Sequence, residues 1–151
     1  MLKVHLLIDE AYRESVDAAR LTAAAQAAWR AHGAEGEAAC TLRIADDETL
    51  RALNARYRGV DAPTDVLSFA DGTPDPETGM LYLGDIAIAF PRAAAQAAQG
   101  GHPVMWELCL LVVHGVLHLL GHDHATPQEK ERMWALQREA LTALQCPLDP
   151  A

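Results

Sequence analysis

The chain alternates between two hydrophobic patterns. Short apolar runs bounded by turn residues predict strands over residues 2–8, 39–44 and 65–69. Residues 12–31 are alanine-rich, with Val16, Leu21 and Trp29 apolar among polar positions; this predicts a long helix ended by His32-Gly33. Asp46 or Asp47 can cap a helix over residues 48–57, which Arg58-Gly59 stops. Residues 81–90 predict another strand, with Gly84-Asp85 inside it as a bulge, and the segment DGTPDPETG before it reads as a loop. Helices are then expected over residues 91–99, 103–120 and 126–144, the last opened by Thr126 as cap and Pro127 as first helical residue. This order, without repeats or a linker, predicts a single compact α+β domain over residues 1–151: one mixed sheet of about four strands covered by about five helices.

Composition narrows the class. A chain of 151 residues, half of them hydrophobic, is long enough for one buried core and too apolar to be disordered. Cys40, Cys109 and Cys146 are odd in number and widely spaced, which points away from a disulfide framework or thiolate zinc site and toward a reducing cytoplasm. The first ten residues carry too short an apolar run for a signal peptide. The longest apolar stretch, residues 104–120, is interrupted by Glu107, His114 and His118, so a buried core helix is expected there and no membrane partner. A formal net charge of −9 opposes non-specific attraction to nucleic acid. Arg51, Arg56 and Arg58 form the one short basic cluster, in a stretch free of acids from Arg51 to Val60; on charge alone this reads as a solvated helix face.

The segment HGVLHLLGHDH carries the chemistry. His114 and His118 lie four residues apart, so on a helix they project within about 40° of one another and can share an ion. Gly121 can end that helix in a left-handed conformation and let the chain double back, bringing His124 in as a third ligand. Three neutral imidazoles suit Zn2+ and leave a coordination position open, as in catalytic sites.

The same frame, H-x-x-x-H-x-x-G-x-x-H, is that of the metzincin proteases at every ligand position. The glutamate that should follow the first histidine as general base is here Gly115, which argues against peptide hydrolysis by that route. Glu107 lies two helical turns before His114, about 10.5 Å along the axis, too far to replace it. Asp123 is expected to accept an N–H from a ligand histidine, with an ordinary turn residue as the alternative, and His122 is expected to be exposed and not a ligand.

Together with LNARYRGVDAPTDVLSF over residues 53–69 and LGDIAI over residues 83–88, the histidine segment closely resembles the YbeY family of bacterial rRNA maturation factors. The resemblance implies a single-strand-specific, zinc-dependent endoribonuclease acting in maturation of the 3′ end of 16S rRNA and in ribosome quality control. It implies His114, His118 and His124 as ligands of one zinc ion, and the arginine of the YR pair, Arg58, as the catalytic basic residue. It also implies single-stranded RNA and the small ribosomal subunit with its proteins as partners. Guanidinium matches two phosphate oxygens in a way that an ammonium cannot. Under this reading Arg51 and Arg56 track the RNA backbone, although helical spacing sends only some of these arginines toward the site. Asp85 orients a ligand, holds Arg58 by a salt bridge, or is simply a polar residue at a bulge; Ser68 faces the cleft or packs. Two other readings compete: a metalloprotease, and an assembly factor with a mainly structural zinc, which would gain if Asp123 closed the coordination sphere.

Overall fold

All predicted elements form in the predicted order, and the differences lie at their ends. The computed structural model describes residues 1–148. Its strands are β1 (Leu2–Ile8), β2 (Ala38–Ala45), β3 (Val66–Pro74) and β4 (Leu81–Ala89); its helices are α1 (Ala18–His32), α2 (Asp47–Arg58), α3 (Phe90–Gly100), α4 (Val104–Leu119) and α5 (Pro127–Ala143). The sheet runs β1-β2-β4-β3, with β2 parallel to both β1 and β4 and β3 antiparallel to β4, so it is mixed.

Two boundaries moved for identifiable reasons. Helix α1 begins at Ala18 because the Asp17 side chain accepts the backbone N–H of Arg20 and caps it there, while Glu10–Tyr12 form a separate 3-10 turn. Strand β3 continues to Pro74, through residues expected to be loop. Its outer half is polar and exposed on a sheet edge, where no apolar alternation marks it. The hairpin closes where Asp75 accepts the backbone N–H groups of Glu77 and Thr78.

A bulge is present one residue before the expected Gly84-Asp85. Tyr82 faces Ala39 and Gly84 faces Cys40, leaving Leu83 as the extra residue on β4. Gly84 has φ +139, and a Cβ there would lie 2.1 Å from the carbonyl oxygen of Phe69, so only glycine fits.

Alternation along β4 sorts the two faces. Ile86 and Ile88 join the main core with α4, whereas Ala87 and Ala89 join a smaller core under α2, with Leu50 and Leu67. Helix α4 is apolar nearly all round because it is enclosed by α1, α3, α5 and the sheet, as a core helix must be. Among the described residues no single helix is long and apolar enough to cross a membrane. Cys40, Cys109 and Cys146 are free and buried; burial pushes the Cys40 thiol up to about 12 and the Cys109 thiol up to about 11.

Candidate active site

The end of α4 brings the three histidines together. Gly121, at φ +95, donates its N–H to the carbonyl of His118, and His122 donates to the carbonyl of Leu117. These bonds close the helix in a Schellman-type turn and send the chain back toward its own last turn. His114, His118 and His124 then offer ligand nitrogens that all lie within 4.8 Å of one another. The Nε2 atoms of His114 and His118 are 3.0 Å apart.

The surroundings disfavour the charged forms of His114 and His118 and orient the His114 ring. Burial holds His114 below its ordinary pKa, with His124 adding to the effect against an opposing hydrogen bond from Gln137. Burial, followed by the neighbouring His114 and His124, pushes His118 down to about 4. His114 Nδ1 lies 2.7 Å from Gln137 Oε1, which can accept its N–H and leave Nε2 unprotonated toward the other histidines. Trp134 packs edge-on to His114 and His124 at centroid distances of 6.1 and 5.7 Å. Three imidazoles converging on one point, one of them held by an amide behind it, fit a zinc ion.

The cleft in front of the histidines has a volume of about 680 Å³, and Arg58, Asp65 and Ser68 form part of its wall. Arg58 is the last residue of α2, and Gly59 caps that helix at φ +69. Its Nη2 donates to the carbonyl of Ser68 at 2.9 Å, and its guanidinium carbon lies 5.8 Å from the centre of the Phe69 ring. The arginine thus leans from the far face of the sheet over the β3 edge into the cleft. Ser68 faces the cleft too, with Oγ donating to the carbonyl of Gly115 at 3.4 Å.

Gly115 has a packing reason to be glycine. A Cβ there would lie 2.9 Å from Ile86 Cγ2, in a part of the core where Ile86 is buried. A glutamate following His114 has no room, which removes the protease's general base sterically as well as chemically. Glu107 is engaged elsewhere, with Oε2 at 2.9 Å from His102 Nε2.

The sequence model of the family described as Endoribonuclease YbeY matches residues 8–145. The chain belongs to the YbeY family. A Roseiflexus protein named Endoribonuclease YbeY is 45% identical over 139 residues, covering 88% of this chain and 87% of that one. A protein of the same name from Chloroflexus aggregans is 43% identical over 150 residues, 95% of this chain and 97% of the other. One from Chloroflexus aurantiacus reaches 51% over 112 residues, 70% and 73% of the two chains. The solution structure of a Thermotoga maritima protein superimposes with a TM-score of 0.58 over 100% of this chain and 99% of that one; at 21% identity the likeness concerns the fold.

Within this YbeY-family fold, Asp85 and Asp123 take the plainer of their expected roles, Arg51 is ion-paired, and His122 is more enclosed than expected. Asp85 shares the parity of Ala87 and Ala89, so it faces the α2 side of the sheet, away from the histidines, and accepts a hydrogen bond from Tyr82. It neither touches a ligand histidine nor pairs with Arg58. Asp123 accepts the backbone N–H of His124 at 2.7 Å instead of a ring N–H, because it sits beside that peptide in the turn. Arg51 is paired with Glu48 at 3.0 Å and Asp61 at 2.9 Å, acids that flank the acid-free stretch and fold back onto it. His122 is half-buried, not exposed: its Nε2 lies 2.8 Å from His32 Nδ1, tying the turn to the end of α1. Arg56 is exposed and lies outside the cleft lining.

Gln137, Trp134 and Asp65 were not singled out from sequence. Gln137 carried a signal: it sits on the buried face of α5 with Met133, Ala140 and Leu141, where an amide is out of place without a partner.

Proposed function

We propose that this chain is a zinc-dependent, single-strand-specific endoribonuclease of the cytoplasm. It acts in maturation of the 3′ end of 16S rRNA and in ribosome quality control, with the small ribosomal subunit and its proteins as partners. The observation that carries the reading is that Arg58 and the three histidines, on opposite faces of the sheet in origin, line one cleft. His114, His118 and His124 would hold the ion, which when bound supplies Lewis-acid chemistry toward a phosphodiester.

The chain's own residues do the rest. Arg58 uses one N–H on the Ser68 carbonyl to fix its guanidinium at the cleft wall, leaving donors for the oxygens of the scissile phosphate, where negative charge builds. Gln137 holds the His114 ring in place. Asp65, whose carboxylate accepts from Gln96 at 3.3 Å, is a carboxylate in the cleft wall able to take up a proton. Phosphodiester cleavage therefore has a base candidate here although the position after His114 has none. The assembly-factor reading would be favoured by a fourth protein ligand; among the described residues Asp123 does not join the histidine group.

The test is cleavage of a single-stranded RNA and of the same RNA annealed to its complement, by zinc-loaded wild-type and His118→Ala protein. Endonucleolytic cleavage of the single strand by wild type only is expected. Equal cleavage by both proteins, or none by either, would overturn the reading.

A further inference from the structure

Beside the cleft, cations and aromatic rings alternate. Arg58 lies against Phe69, the Phe69 ring meets the Tyr57 ring at a centroid distance of 5.3 Å and 58°, and the guanidinium of Arg56 stands 5.2 Å from the centre of Tyr57. Tyr57 is 58% exposed, so much of its ring is open to solvent. Among the described residues no carboxylate pairs with Arg56 or Arg58, whereas Arg51, one and two turns earlier on the same helix, is neutralised twice. The free positive charge of α2 is therefore confined to its last turn, on either side of an exposed aromatic ring.

We propose that Tyr57 is a stacking platform for an unpaired base of the RNA strand whose phosphate lies against Arg58. This deepens the nuclease reading and rests on it. A single strand offers both things this ladder can use: phosphates for the two guanidiniums and the π-faces of bases for the ring. A duplex keeps its bases stacked inside and cannot lay one on Tyr57, so the platform selects for unpaired strands without reading sequence. Phe69 backs Tyr57 from the sheet edge and touches Arg58 as well, so one ring links the platform to the arginine that meets the phosphate. A protein partner is the competing occupant of such a patch.

The experiment is an abasic scan on the full-length, zinc-loaded protein. A short 2′-O-methyl oligoadenylate, checked by electrophoresis to stay uncleaved through the titration, is titrated without and with one abasic step moved along it, against wild type, Tyr57→Ala and Tyr57→Phe. In wild type, one abasic position should weaken binding about 5- to 150-fold, the range of aromatic–base stacking. Tyr57→Ala should weaken the intact oligomer by a similar factor and lose the sensitivity to that position; Tyr57→Phe should restore both. Melting curves check that all three fold, since a purely structural role for the Tyr57–Phe69 pair would lower stability without removing the positional effect. The proposal is overturned if Tyr57→Ala keeps the same sensitive position, if it binds like wild type, or if wild type shows no saturable binding at low salt. A protein-docking role gives those last results. Cleavage of ordinary RNA with no stacking effect sinks the platform alone, and a stacking effect without cleavage by any variant sinks the nuclease reading alone.

Discussion

The two walls of the cleft are built in opposite ways. The histidine wall is an extension of the core: His114 and His118 are half-buried on α4, braced by Gln137 and Trp134, on a helix whose neighbouring residues are completely enclosed. The arginine wall is a surface feature: Arg58 is exposed, at a helix end, fixed by one hydrogen bond to a strand carbonyl and one ring contact. Ligands already gathered spend little entropy on surrounding an ion, whereas Arg58, held through one donor, keeps its remaining donors for a phosphate and takes no part in holding the ion. The difference implies that losses on the first wall show up in metal content and losses on the second in rate.

The largest break is on the histidine wall. His118→Ala removes a central ligand, and both bound zinc and RNA cleavage should fall to background; elemental analysis beside a cleavage assay checks it. Full metal content in this variant and in His114→Ala and His124→Ala would remove the site. The next largest break is on the arginine wall. Arg58→Ala should fold and keep its zinc, yet lose cleavage by on the order of 100-fold, the scale of removing one electrostatic stabiliser. Arg58→Lys should recover only part of the rate, since charge returns without the two-pronged geometry. Single-turnover rates with zinc content decide it; wild-type rates for metal-replete Arg58→Ala would move preference to the assembly-factor reading.

The same contrast explains what could be read from the chain before its structure. The histidine wall is local in sequence: a helix, a glycine and a turn place all three ligands within eleven residues, His114 to His124, so spacing alone assembled them. Element order was legible for the same reason, since periodicity and caps act over short distances. Gln137 and Trp134 come from another helix, and only tertiary packing brings them to His114. Asp85 stayed open between a site role and a polar residue at a bulge because the face it occupies depends on the bulge at Leu83 and on the parity that follows it. The pairing of Arg51 was not legible because its partners, Glu48 and Asp61, lie on either side of the acid-free stretch and only the fold brings Asp61 back to it. The role of Arg58 came from family resemblance; spacing carried no hint that α2 would reach across β3.

A smaller effect sharpens the histidine wall. Gln137→Met keeps the volume of the buried side chain but leaves the Nδ1–H of His114 without its acceptor. Zinc affinity should drop about 10- to 100-fold, the range for losing an outer-shell partner of a ligand histidine, and cleavage at saturating zinc should recover most of its rate. Competition with a chelator of known affinity measures it. Unchanged affinity would mean that Trp134 and the helix alone orient the ring.

The smallest effect is expected where the sequence placed an RNA contact and the structure places an ion pair. Arg51 bridges Glu48 and Asp61 on the surface, with 43% of its own side chain exposed, so its charge is already matched and its salt bridges are screened by solvent. Arg51→Ala should leave cleavage within about twofold of wild type, because exposed pairs of this kind contribute about 0–1 kcal/mol and no free charge is withdrawn from the RNA. Arg56, on the same helix with no acidic partner among the described residues, is the control: Arg56→Ala should raise KM and lower the slope of log affinity against log salt by about one. The pair of variants therefore separates charge that is present in the sequence from charge that is available on the surface. If Arg51→Ala lost as much salt dependence as Arg56→Ala, the acids at positions 48 and 61 would be releasing Arg51 to the strand, and the whole helix, not its last turn, would carry the RNA.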